Sequence, residues 1–155
     1  GTTTSMTFDA NGIINKPLQP ASNAYVSSHF TIPINTNHDV VFGSENYDVN
    51  SDYDTSNGRF TAPVAGVYCF TGSVFTNRTT STGDYYFDMM HNGGTLYRIY
   101  TAKNGSVSSH VQIEFCKTVK LAVNDTILLK GQISPGNIGI GASASHTNFQ
   151  GFLLH

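Results

Sequence analysis

Ten carboxylates are spread along this chain, and one group of them is dense enough to suggest chemistry. Glu45, Asp48, Asp52 and Asp54 fall within ten residues, interleaved with Asn46 and Asn50. Alternating carboxylate and amide oxygens are ligands that a hard cation such as calcium accepts. The EF-hand's later Glu and following helix are missing, and the same segment also reads as a turn-rich solvated loop. Asp48, Asp52 and Asp54 are therefore the candidate metal ligands. Calcium is the ion the pattern suits, and no cofactor is required. Glycoside hydrolysis needs two carboxylates across one cleft, which a loose loop cluster does not offer. The chain holds no Gly-x-Ser-x-Gly elbow, phosphate loop or dinucleotide fingerprint. It is read as non-enzymatic.

The remaining reactive residues are sparse. Cys69 and Cys116 are the only cysteines, too few for a disulfide scaffold and wrongly spaced for zinc. Three Asn-x-Ser/Thr triplets begin at Asn77, Asn104 and Asn124. They would accept glycans in a secreted animal protein, though so short a pattern is common by chance in a chain rich in Ser, Thr and Asn.

The elements that position these residues read as strands. Asn57-Gly58, Asn92-Gly93 and Asn104-Gly105 are hairpin turn dipeptides. Between such signals lie short period-two runs at 24–32, 40–42, 59–75, 84–91, 95–102, 109–121, 125–133 and 148–155. No segment has helical periodicity, and this many short strands predict a sandwich or barrel. In 109–121, Val111, Ile113, Phe115, Val119 and Leu121 share one face, and His110, Gln112, Glu114, Cys116, Thr118 and Lys120 the other. That is a strand with one apolar face. The strand over 66–75 differs: Tyr68, Phe70 and Val74 oppose Val67, Cys69 and Phe75. Both faces are apolar. A sandwich core covers only one of them, so a neighbouring subunit is expected on the other.

Composition agrees. The chain has 155 residues, suiting one domain, and only 12% are charged, against about 25% in average proteins. Low charge suits a surface covered by another subunit. The net charge is −2, with no basic run; nucleic-acid binding is not expected. No apolar stretch reaches the roughly 18 residues of a membrane span. Residues 1–18 are polar, carry a turn at Asn11-Gly12, and read as a connector or the end of a fibre stalk. The strand pattern begins at residue 19, so 19–155 is taken as the domain.

Four separated motifs resemble the globular head of complement component 1q. They are Tyr53-Asp54 with Asn57-Gly58, the run Phe60-Thr61-Ala62-Pro63-Val64-Ala65-Gly66-Val67-Tyr68-Cys69-Phe70, the run Val119 to Ile127, and Phe149-Gln150-Gly151-Phe152-Leu153-Leu154 at the C terminus. Cys69 and Asn124 depart from the pattern, the latter standing where the family has Gly. The resemblance implies an all-β, ten-stranded, two-sheet jelly-roll sandwich of the complement component 1q and tumour necrosis factor type. It also implies a homotrimer, with both termini at the base.

On that fold the expected trimer interface is Val67, Cys69, Phe75, His110, Gln112, Glu114, Cys116 and Phe152. At a threefold axis, three copies of His110 could hold one transition metal, or the face could be polar and hydrated. Cys69 and Cys116 fall on neighbouring strands, either as a cross-strand disulfide or as two buried thiols. Ligand contacts are expected in the loops 76–83, 101–108 and 134–147, far from the base, at Asn77, Arg78, Lys103, Asn104 and Asn137, and on the hairpin strands at Tyr86, Arg98 and Tyr100.

Residues 6–20 open on Met6-x-Phe8-Asp9-x-x-Gly12 and close on Pro17-x-Gln19-Pro20. They resemble connectors that precede such heads in bacteriophage tail fibres and virion appendages. The leading expectation is thus a trimeric head at a virion fibre tip, on the virion surface. It would bind a host cell-surface glycan or outer-membrane protein and help three chains register. One alternative is a secreted lectin-like or cytokine-like recognition module. Another is a purely structural trimerisation or capping domain.

Overall fold

The computed structural model describes residues 6–33, 37–78, 84–102, 110–134 and 138–155. Every regular element among them is a strand. In chain order these are β1 (Thr7–Phe8), β2 (Ile14–Asn15), β3 (Ala21–Tyr25), β4 (Phe30–Ile32), β5 (Asn37–Asp39), β6 (Ser44–Asp48), β7 (Tyr53–Asp54) and β8 (Arg59–Thr61), followed by β9 (Gly66–Arg78), β10 (Asp84–His91), β11 (Gly94–Ala102), β12 (His110–Leu121), β13 (Thr126–Ser134), β14 (Ile138–Ile140) and β15 (Asn148–Leu153). β1 and β2 form a separate hairpin. The rest divide into two antiparallel sheets.

The first sheet centres on β9, the longest strand. β12 pairs with it along one edge, from Leu121 opposite Gly66 to His110 opposite Asn77. β15 and then β14 share its other edge. β3 and β6 continue beyond β15, and β4 beyond β14. The second sheet runs β11-β10-β13, with β8 and β5 on the far edge of β13 and β7 beyond β8. This is the jelly roll that the motifs imply. The described strands outnumber ten because Pro63 and other breakers divide longer runs.

The core lies between the sheets and is aromatic. Phe60 packs edge-on against Phe70 at 5.2 Å and against Tyr68 at 5.5 Å. Phe149 stacks on Phe70 at 5.7 Å and on Phe42 at 5.6 Å. Each such ring contributes about 1.5–3 kcal/mol through burial. Glycines make room for them. A Cβ on Gly72 would meet the Asn148 carbonyl oxygen at 2.3 Å and the Phe115 ring at 2.8 Å.

Several expected strands are divided differently. The run 24–32 breaks at residues 26–29 into β3 and β4. The run 59–75 is two strands in opposite sheets, because Pro63 turns the chain between them. Val40, Val41 and Phe42 are in no strand, although Val40 and Phe42 are buried; their apolarity reports core, not extension. The acidic segment expected to be loop contains β6 and β7. The stretch 134–147 expected to be loop contains β14, where Ile138 and Ile140 are buried. Residues 6–15 of the expected connector form the β1–β2 hairpin about Asn11-Gly12.

Candidate functional site

The register of the first sheet sorts β9 and its neighbours into two faces. Tyr68, Phe70, Gly72, Val74 and Thr76 face the core. Val67, Cys69, Thr71, Ser73 and Phe75 face away from it. Gln112 lies opposite Phe75, Glu114 opposite Ser73, and Cys116 opposite Thr71. Phe152 lies opposite Cys69. Cross-strand partners point to the same side, so all eight residues expected at a subunit contact share one outward face.

Its upper part is aromatic. Phe75 stacks on His110 at 5.1 Å with 12° between the rings, and His146 leans on Phe75 at 5.5 Å. Gln112 donates to the His146 carbonyl at 2.7 Å, and Ser73 Oγ donates to it at 2.9 Å. A shallow depression of about 550 Å³ follows, lined by Thr71, Ser73, Glu114, Cys116 and Asn148. Below it, Cys69 Sγ and Cys116 Sγ lie 3.8 Å apart as free thiols. Of the two states expected for this pair, the structure has the thiols. Burial, then the neighbouring Cys116 thiol, pushes the Cys69 thiol above its ordinary value. Cys116 is exposed in the single chain, because its side chain lies on the outward face, where one chain offers no cover.

The second sheet carries a different surface. Arg98 donates from Nε to Asp88 Oδ1 at 2.8 Å and from Nη2 to Oδ2 at 3.0 Å. Its guanidinium sits 3.8 Å from the centre of the Tyr86 ring. The Tyr86 hydroxyl bonds to Gln132 Oε1. These residues rim a cavity of about 210 Å³ with Lys130 and Asn37, and Lys130 Nζ lies 3.4 Å from Asp39. Tyr86 and Arg98 are therefore brought together. Tyr100 is not. It lies opposite the inward Phe87, and its hydroxyl accepts from Tyr85 at 3.3 Å, so it packs on the core side. The bulge between Phe87 and Asp88 lies between the Tyr100 and Arg98 pairings and puts these two residues on opposite faces, since a one-residue slip reverses the side a residue faces.

Of the loop candidates, Lys103, Asn104 and Asn137 lie outside the described residues. Asn77 and Arg78 close β9, their backbone paired with Gly139 and Ile138 of β14. The ends flanking these loops do converge. Asp84 pairs with Ser134, Tyr85 with Ala102, and His110 with Asn77. All lie opposite the end where Val67 N–H donates to the His155 carbonyl at 3.0 Å.

Asp48 and Asp52 lie close together, but their contacts are those of a turn. Both Asp48 carboxylate oxygens accept backbone N–H groups, from Asp52 at 3.0 Å and Tyr53 at 2.8 Å. Asp54 caps its own turn, accepting from Ser56 and Asn57. Asp52 is buried, and its carboxyl is raised, chiefly by burial. These are turn-forming carboxylates. Among the described residues no three His, Cys, Asp or Glu side chains are grouped to hold a metal.

Asp88, Gln132 and His146 are site residues that the sequence reading misses. Asp88 carries a signal, because its charge opposes Arg98 across the Asn92-Gly93 hairpin. Counting residues from that turn without bulges puts Arg98 opposite Phe87 and hides the pair.

An all-β jelly roll with an unpaired outward face on its central strand defines a head of the complement component 1q and tumour necrosis factor class. Residues 21–154 match the C1q domain family, and the chain belongs to it. It is 32% identical over 142 residues to complement C1q tumor necrosis factor-related protein 3 of Homo sapiens and of Mus musculus. The match covers 88% of this chain and 52% of each relative, so the chain spans about half their length. Among solved structures it resembles the globular domain of zebrafish complement 1qA (TM-score 0.65, 18% identity, 88% of this chain and 98% of that one). It also resembles the Eiger TNF of S. frugiperda (0.65, 9%, 88% and 94%) and murine APRIL (0.62, 12%, 88% and 99%).

Proposed function

We propose that this chain is the recognition head of an extracellular protein, non-enzymatic and active as a homotrimer. One observation carries the reading: the outward face of the first sheet. Central strands β9 and β15 present Val67, Cys69, Phe75 and Phe152 away from the core, on the side that no second sheet covers. A symmetric contact among three copies would bury them. The kinship to complement C1q tumor necrosis factor-related protein 3 favours the secreted alternative over the virion fibre tip, for which no comparison gives support.

Trimerisation would leave the second sheet and the far loops accessible. The Tyr86–Arg98 pair, on a rigid sheet and held by a buried carboxylate, suits a sugar ring or a protein contact. Three weak sites acting together would raise avidity by about 10²- to 10⁴-fold on a dense cell surface.

The deciding experiment is the solution mass by light scattering. A mass near three times 16.7 kDa supports the reading, and a monomer overturns it. Binding of the labelled chain to cultured animal cells, lost in R98A and in N104A with the trimer intact, separates a recognition head from a purely structural one.

A further inference from the structure

The large apolar side chains left in solvent are concentrated at one end. Among the described residues they are Met6, Phe8, Ile13, Ile14, Leu18, Tyr47, Val49, Val64, Val123 and Leu154. All but Tyr47 and Val49, at the end of β6, lie on the β1–β2 hairpin or at the base of the jelly roll. They form two unlike surfaces.

The first is the hairpin itself. Phe8 pairs directly with Ile14, so both point to one side, joined by Met6 two residues earlier. Phe8 is 66% exposed and Ile14 52%. A two-stranded ribbon is at best marginally stable by itself, and one with a bare apolar face needs cover. The second surface is a groove of about 620 Å³ lined chiefly by Leu18, Pro20, Pro63, Val64, Leu153 and Leu154. That volume lies within the roughly 300–1,000 Å³ of pockets that enclose ligands. Leu154 N–H donates to the Val67 carbonyl at 2.8 Å, which fixes one wall of the groove against β9.

The hairpin is absent from the lining of its own chain's groove, which includes no residue of 7–15. It is tethered at the groove's rim, where Gln19 Nε2 donates to the Leu153 carbonyl at 2.6 Å and Gln19 N–H to the Lys16 carbonyl at 3.0 Å. Resting on the homotrimer proposed above, we infer that the β1–β2 hairpin of each copy docks into the basal groove of the next copy. The contact is head-to-tail: one surface is convex and the other concave, and repetition around a threefold axis closes it. Hairpin and groove then cover each other, and three straps lock the base.

The test uses the full chain with Cys69 and Cys116 changed to Ser. One batch carries F8C and the other V64C. The two are mixed, reassembled and oxidised, then separated without reductant. Docking between copies gives a covalent dimer containing one chain of each kind. A trimeric mass by light scattering without that dimer overturns the strap and leaves the trimer standing. So does a cross-link confined within single chains carrying both substitutions. A monomeric mass overturns both. As a second measure, F8S/I14S should raise the concentration at which the trimer dissociates by about tenfold or more, and an unchanged value counts against the strap.

Discussion

Asp125 ties together two turns that are far apart in sequence. Its carboxylate accepts from Asn92 Nδ2 at 2.7 Å and from the Ala122 N–H at 2.8 Å, and lies 3.0 Å from His91 Nε2. Asn92 in turn accepts from the Thr126 N–H at 2.8 Å. The Asn92 hydrogen bond, then that of Ala122, holds the Asp125 carboxyl down to about 2. Unfolded, an aspartate titrates near about 3.9. The folded value is the lower one, so the stabilisation is complete above the unfolded value and is lost as pH falls toward 2. Urea denaturation across this acid range should therefore show a shallower pH dependence in D125N than in the parent. Equal slopes would mean that the carboxylate is not the group responsible. The neighbouring Asn124 shows why the family pattern has Gly at that position. Its φ is +68°, in the left-handed region that Asn enters more readily than other side-chain-bearing residues.

At the scale of elements, fit between strands decides more than strand propensity. β9 carries Gly72 where the core is most crowded, between the Asn148 carbonyl and the Phe115 ring. G72A should destabilise the fold by about 1–3 kcal/mol, read as a lowered midpoint in thermal or urea unfolding. An unchanged midpoint would mean that β12 and β15 shift to admit the methyl group. Much of this level is legible in the sequence. The period-two pattern of β12 and the Asn92-Gly93 hairpin both follow from residue type and spacing. What stays hidden shares one physical cause: alternation is informative only while the register is unbroken. A bulge near the Asn92-Gly93 turn sends Arg98 outward while Tyr100, beyond a second bulge, stays inward, and Pro63 places β8 and β9 in different sheets. Ile138 and Ile140, separated by a Gly and set among small residues, give too short a run to mark β14.

For the whole molecule, the question is which surface meets a second copy. The doubly apolar run 66–75 points to a covered outer face, and the register gathers eight expected contact residues on it. The basal groove is not legible in the sequence, because its walls come from residues 18–20, 63–64 and 153–154, distant along the chain and joined only by the closed sandwich. Thr71 offers a clean probe of the contact. It sits on central strand β9, opposite Cys116 on one side and Gln150 on the other, and points away from the core. In T71R a long charged side chain can extend into solvent from a single chain, yet it would put three guanidinium groups into a closed trimer. T71R should therefore keep the far-ultraviolet circular dichroism of the parent and give a monomer mass. R98A, on the opposite sheet, should keep the trimer. Thiol labelling gives an independent reading. Cys116 is exposed in the single chain and should react quickly in T71R but slowly in the parent trimer. Cys69, buried and with its thiol raised by that burial, should be the slower of the two in T71R. If T71R stays trimeric and Cys116 reacts equally fast in both proteins, the subunit contact lies elsewhere on the jelly roll.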